Sequence, residues 1–112
     1  MNKMLVNEAK EMLLQLEGRK NAVDSMRLKI ACGEGGLEER LRRIKTEVEV
    51  TEGAYAGLDY KGRDILSAFY IHREPQAADR LCEKYSCSKS TVYRMKNEAM
   101  RQFVLRVFGY AD

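Results

Sequence analysis

The stretch from Ala77 to Met95 constrains the fold more than any other part of the chain. Its apolar residues recur at spacings of three and four, which place side chains on one face of an α-helix. The apolar positions are Leu81, Cys82, Tyr85, Cys87, Val92 and Met95. The pattern predicts two short helices that cross closely, with Cys87 filling a tight turn between them.

The second of these helices has a polar and basic face opposite its apolar stripe. Ser88 is suited to begin the helix, because its hydroxyl can accept a hydrogen bond from an otherwise unpaired backbone N–H. The outward residues are Lys89, Ser90, Tyr93, Arg94, Asn97 and Arg101. A helix of this kind, supported by a shorter one, is suited to lie in the major groove of DNA.

Charge is distributed unevenly along the 112 residues. The formal net charge of +3 is modest, and residues 1–57 carry ten basic and ten acidic side chains. Residues 58–112 carry ten basic and seven acidic side chains, and in 88–108 five basic residues accompany one acid, Glu98. A merely solvated basic face would spread the excess more evenly, so this concentration favours a nucleic-acid surface.

The composition predicts an all-α protein of the cytoplasm. One proline, no tryptophan and few β-branched runs favour helices. No apolar run is long enough to cross a bilayer, and the N-terminus lacks the apolar segment of a signal peptide. Three cysteines, an odd number, fit a reducing compartment better than a disulfide framework. His72 is the only histidine and there is no Cys-x-x-Cys pair, so neither a metal nor a cofactor is expected.

The N-terminal half predicts an antiparallel, coiled-coil-like helical hairpin. Residues 3–31 follow a seven-residue repeat with two seams. The seams are Ala9, Leu16, Val23 and Ile30, and Leu5, Met12, Arg19 and Met26. Arg19 interrupts its seam beside Gly18, which predicts a local loosening or a polar pairing. The glycine-rich segment 33–36 ends the first helix, and the repeat resumes from Leu37 to Tyr55.

The chain is therefore divided into a hairpin for packing or oligomerisation, residues 1–57, and a three-helix DNA-binding unit, residues 58–112. Five helices are expected in all. Asp59 should cap a short helix that runs to about His72, Pro75 should begin the next, and the last should run from near Lys89 to Phe108. The tail of the last helix has a wide apolar surface, which should pack on the hairpin or on a second subunit.

From Leu58 to about Val107 the chain resembles region four of bacterial sigma factors. The matching pieces are Leu58, Asp64–Ile71, Ala78–Cys82 and Ser88–Arg94. With the preceding hairpin, the whole chain looks like the small sigma-region-four-like transcriptional regulators of phages and prophages of Gram-positive bacteria. The chain departs from that pattern at Ser86, where glycine is usual, and at Cys82, where alanine is common. The loop at 59–62 also lacks the usual proline-acidic start.

The resemblance implies a sequence-specific, DNA-binding transcriptional regulator that acts in the cytoplasm of a bacterial host cell. Its base contacts would come from Lys89, Ser90 and Arg94, and arginine or lysine in the groove can donate to guanine. Residues better placed for DNA phosphates are Ser88, Thr91, Tyr93, Lys96 and Arg101. The resemblance also implies RNA polymerase as a second partner. A homodimer is expected, because a single helix-turn-helix binds weakly.

Two other classes of protein compete with this interpretation. One is a coiled-coil adaptor or structural protein in which the C-terminal helices only dock. The other is a DNA packaging factor similar to small terminase subunits, which also combine a helix-turn-helix with a hairpin but usually place the DNA reader first. An enzyme is not expected, because His72 stands alone and no glycine-rich phosphate loop follows a strand.

Overall fold

The computed structural model describes residues 2–111, which form an all-α protein. Its helices are α1 (Lys3–Leu14), α2 (Leu16–Ala31), α3 (Glu38–Ala56), α4 (Tyr60–Leu66), α5 (Ala77–Tyr85) and α6 (Lys89–Phe108). A π-helical turn, Ser67–Ile71, continues α4. No strand occurs within residues 2–111, so the predicted all-α class is confirmed. The described helices number six and not the expected five, because the first predicted helix is divided.

The division of the first helix falls at Gln15, between α1 and α2. Arg73 supports the end of α1, since its Nη2 donates to the carbonyl oxygen of Leu14 at 2.8 Å. The loosening expected beside Gly18 is therefore located about one turn earlier. Arg19 instead makes the polar pairing that was the other expectation, with its Nε 3.3 Å from a carboxylate oxygen of Glu47 on α3.

The two parts of the divided helix have different partners. α2 packs along α3, whereas α1 packs mainly against α6 and the π-helical turn. The predicted seam residues Leu5 and Ala9 consequently join a cluster with Phe103 and Val104 of α6. The prediction that residues 3–31 form a single arm of the hairpin was wrong for α1. The reason is the wide apolar surface of α6, which α1 covers within the same chain.

The largest apolar cluster draws on both halves of the sequence. It joins α1, the end of α3, α4 and α6. Its buried members are Leu5, Ala9, Leu13, Ala54, Leu58, Leu66, Ala99, Met100, Phe103, Val104 and Ala111. Two smaller clusters lie between α4, α5 and α6 and between α2 and α3. α6 contributes to the largest cluster and to the one shared with α4 and α5, and it is the central helix of the C-terminal half.

The helical segment that follows Asp59 begins and ends as predicted, but the next helix starts later than predicted. Asp59 caps α4, because its Oδ1 accepts from the Gly62 N–H at 2.7 Å. In the π-helical turn the His72 N–H donates to the Ser67 carbonyl at 2.8 Å, a bond that spans five residues. Arg73 then takes a left-handed backbone conformation, with φ at 51°. The next helix starts at Ala77 and not at Pro75, because Pro75 lies in the turn between Arg73 and α5.

Candidate nucleic-acid interface

A three-residue turn, Ser86 to Ser88, connects α5 to α6. Ser86 ends α5 in the left-handed conformation, with φ 52° and ψ 51°. The Cys87 N–H donates back to the Cys82 carbonyl at 3.1 Å, the outer hydrogen bond of a Schellman motif. Ser88 then caps α6 as predicted, since its Oγ accepts from the Thr91 N–H at 3.2 Å. Ser86 thus adopts the left-handed conformation that glycine usually takes at this position.

The packing beneath this turn uses the apolar positions identified in the sequence. Leu81 of α5 and Val92 of α6 are fully buried in one cluster with Ile65, Ala68 and Ala77. Partly buried side chains complete that cluster. They are Phe69, Cys82, Tyr85, Cys87 and Met95. The cluster fixes α5 against α6, and Cys82 and Cys87 are free thiols within it.

A carboxylate that sequence reasoning missed ties α5 to α4. The Oδ2 of Asp64 accepts from Tyr85 Oη at 2.7 Å and from Lys84 Nζ at 2.8 Å, and its Oδ1 accepts from Arg80 Nη2 at 3.1 Å. Burial alone would raise the pKa of Asp64, but hydrogen bonds from Lys84, Tyr85 and Arg80 outweigh it and lower this pKa. Burial and the hydrogen bond to Asp64 raise the pKa of Tyr85 to about 12. No local sequence signal marked Asp64, because its partners lie 16 to 21 residues away.

The N-terminal half of α6 presents a polar face to solvent. Its exposed residues are Lys89, Ser90, Tyr93, Arg94, Asn97 and Glu98. In the C-terminal half, Met100 and Val104 are buried in the cluster that includes α1. An α-helix with its side chains is about 10–12 Å across, which fits the roughly 12 Å width of the DNA major groove. The exposed face can therefore enter a groove while the rest of α6 stays packed.

The three predicted base-contacting residues all lie on this exposed face. Lys89 Nζ is 3.2 Å from Asp79 Oδ1 on α5, and the hydrogen bond between them raises the pKa of Lys89. Arg94 makes no ion pair with any residue in the range 2–111. Ser90 is exposed at the first turn of α6. The structure thus brings Lys89, Ser90 and Arg94 together, with Lys89 already engaged by a carboxylate.

The predicted phosphate-contacting residues are divided between two places. Ser88 and Thr91 lie at the start of α6, with their hydroxyl oxygens 3.1 Å apart. Tyr93 is 43% exposed and packs one side of its ring against Phe69. Arg101 lies two turns further along and pairs with Glu98, where Nη2 is 2.8 Å from Oε1. This pairing lowers the pKa of Glu98 to about 2.

Lys96 departs most from the surface position expected for it. Its ammonium lies 5.2 Å from the ring centroid of Phe69 and 5.0 Å from that of Tyr93. Burial and, next, the positive charge of Lys10 lower the pKa of Lys96. The side chain is half-buried beside the exposed face of α6. Sequence reasoning missed Lys10, because α1 was expected to lie in the hairpin and not beside α6.

Two other kinds of site, a metal centre and a membrane span, are absent from the residues that the structure describes. Among residues 2–111 no group of three or more histidine, cysteine, aspartate or glutamate side chains could hold a metal ion. None of the helices between residues 2 and 111 is both long and apolar enough to cross a membrane.

The fold and this surface define a small all-α protein with a polar, basic helix face beside a tight interhelical turn. The chain belongs to the family described as "Protein of unknown function (DUF1492)", whose family model matches residues 9–104. That match extends from the middle of α1 into the last turns of α6. Comparisons with curated proteins and with solved structures found no match.

Proposed function

We propose that this protein is a sequence-specific, DNA-binding transcriptional regulator of the phage or prophage type. In this proposal α5 and α6 form a helix-turn-helix, and the N-terminal half of α6 enters the major groove. The observation that carries the proposal is the exposed polar and basic face of α6, which begins directly after the turn. Helix-turn-helix proteins contact base edges with the N-terminal residues of their second helix.

The residues of this face have distinct roles in the proposal. Lys89, Ser90 and Arg94 contact bases. The phosphate contacts come from Ser88, Thr91, Tyr93, Lys96 and Arg101. Lys89 and Arg94 are five residues apart and thus about 140° apart around the helix axis. Their long side chains approach the groove floor from the two edges of the exposed face. A bidentate arginine–guanine pair discriminates against a wrong base by about 1–3 kcal/mol.

Three partners belong to the proposal. The first is double-stranded DNA. The second is RNA polymerase, which is supported by the resemblance to sigma region four. The third is a second copy of the chain, because non-specific binding by one reader is typically only ~10⁻⁴–10⁻⁶ M at physiological salt. Sedimentation at tens of micromolar, roughly that weak-binding range, should show a dimer, and a monomer there would leave polymerase recruitment as the source of occupancy.

The alternatives predict different behaviour in binding experiments. A coiled-coil adaptor would bind no DNA in a gel-shift assay with either random or promoter duplexes. A packaging factor would bind DNA but would co-purify with a large terminase ATPase and not with RNA polymerase. The exposed face of α6 favours DNA binding over the adaptor, whereas it does not favour packaging over regulation. The resemblance to sigma region four supports regulation.

The test of the proposal is selection of duplexes from a random DNA pool, followed by substitution of Arg94. Arg94→Ala should cost about 1–3 kcal/mol on the selected site and relax the preference at one base position. Arg40→Ala is the matched control, because Arg40 is an exposed arginine on α3, away from α6. A circular dichroism melt shows whether both variants remain folded. A folded Arg94→Ala variant with unchanged affinity and preference would reject the assignment of α6.

A further inference from the structure

Three aromatic rings form a row between the π-helical turn and α6. The ring centroids of Tyr70 and Phe69 are 6.2 Å apart, and those of Phe69 and Tyr93 are 5.9 Å apart. Two lysine ammonium groups lie beside this row. Lys96 Nζ is within 5.2 Å of the Phe69 and Tyr93 centroids, and Lys10 Nζ of α1 is 5.9 Å from the Tyr70 centroid.

The two lysines lie beside neighbouring rings, Lys10 over Tyr70 and Lys96 over Phe69, whose centroids are 6.2 Å apart. The charge of Lys10 contributes, after burial, to lowering the pKa of Lys96. Neither lysine makes an ion pair within residues 2–111, whereas Lys20, Lys84 and Lys89 are each paired with a carboxylate. Like charges disfavour each other's ionised form, and a nearby anion would relieve that repulsion. The pair is thus a cationic site without an anionic partner in the described chain.

The position of the pair relates it to the exposed face of α6. α1 runs antiparallel to α6, because the Asn2 N–H donates to the Ala111 carbonyl at 3.1 Å while Lys10 lies near Lys96. Lys96 is three residues after Tyr93 and seven after Lys89, so these three side chains share one side of the helix. Lys10 therefore extends the basic surface from α6 onto α1.

We infer that Lys10 and Lys96 together bind one backbone phosphate of the DNA that flanks the bases read by α6. The inference rests on the proposed function and adds α1 to the DNA interface. The aromatic rings hold the two ammonium groups in place, since a lysine ammonium is attracted to the face of an aromatic ring. Such a contact fixes the register of the protein on the duplex without reading its sequence.

The first test measures DNA affinity over a salt series for Lys10→Gln, Lys96→Gln and the double variant. Both single variants should bind all duplexes more weakly and to the same extent. The double variant should lower the slope of log affinity against log salt concentration by about one unit. Lys29→Gln is the matched control, because Lys29 is an exposed lysine on α2 and its loss should leave the slope unchanged. A thermal melt identifies variants that lose stability through the ring contacts.

The second test locates the contact on the DNA. Single phosphates of the selected duplex are replaced with uncharged methylphosphonates. The replacement at one flanking position should weaken DNA binding by the wild-type protein. At that position the double variant should lose little or nothing further, because its contact is already absent. If Lys10→Gln binds with the wild-type affinity and slope, or every methylphosphonate weakens both proteins equally, the inference is wrong. Failure of the proposed function would give a different result from failure of this inference, because the wild-type protein itself would then bind no duplex.

Discussion

Lys89, the first residue of α6, lies with its ammonium 3.2 Å from the carboxylate of Asp79 in the first turn of α5. The two side chains are 64% and 58% exposed, and such surface pairs contribute little to stability. The pair nevertheless holds a negative charge beside a residue proposed to contact bases. DNA binding through Lys89 must therefore compete with Asp79.

Asp79→Asn should increase affinity for DNA severalfold, because it releases Lys89 and removes a charge that repels phosphates. The increase should appear on all duplexes and should diminish at high salt. Fluorescence anisotropy with a labelled duplex measures both effects. Glu34→Gln makes the same charge change in the segment between α2 and α3 and should have no comparable effect. A lower affinity for Asp79→Asn would mean that the pair orients Lys89 for binding.

Ser86→Gly should stabilise the fold by about 0.5–1 kcal/mol. A side chain in the left-handed region costs roughly 1–2 kcal/mol, and the greater freedom of glycine in the unfolded chain offsets part of that gain. Ser86 has φ 52° at the end of α5, where glycine is common. Urea unfolding measures the change, and DNA affinity should stay the same. A decrease in stability would show that the Ser86 side chain contributes a favourable contact.

Asp64→Asn should destabilise the protein by about 1–3 kcal/mol at neutral pH, since a hydrogen-bonded charged acceptor is lost. The pKa of Asp64 is lower in the folded protein than its ordinary value of 3.8. Its contribution is therefore complete above that value and is lost as the pH falls through the lower, folded pKa. The difference in unfolding free energy between wild type and variant should shrink below about pH 4. A difference independent of pH would contradict the role of the charge.

Leu13→Ala should cost about 2–5 kcal/mol in unfolding free energy, the usual cost for a fully buried leucine. Leu13 lies at the end of α1 and is 0% exposed in the cluster shared with α6. Leu28→Ala is the control, because Leu28 is 67% exposed on α2 and its replacement should change stability by less than about 0.5 kcal/mol. Similar small losses in both variants would show that α1 is not integral to the fold.

Much of the candidate interface could be predicted from the sequence, because its structure is determined by neighbouring residues. The caps at Asp59 and Ser88 depend on a side-chain oxygen and a backbone N–H three residues later. The packing of Leu81 against Val92 follows from helical periodicity across a three-residue turn. The bounds of α6, 89–108, agree with the prediction for the same reason. Local spacing was sufficient in each case.

Tertiary structure alone decided the position of α1. The seven-residue repeat continues through Gln15 without interruption, so the sequence favoured one long helix over residues 3–31. The helix is interrupted at Gln15, and α1 packs on the apolar surface of α6 around Phe103 while α2 packs on α3. Burial of a large apolar surface outweighs the continuity of a helix. That packing between distant segments also places Lys10 beside Lys96, which no spacing along the chain could indicate.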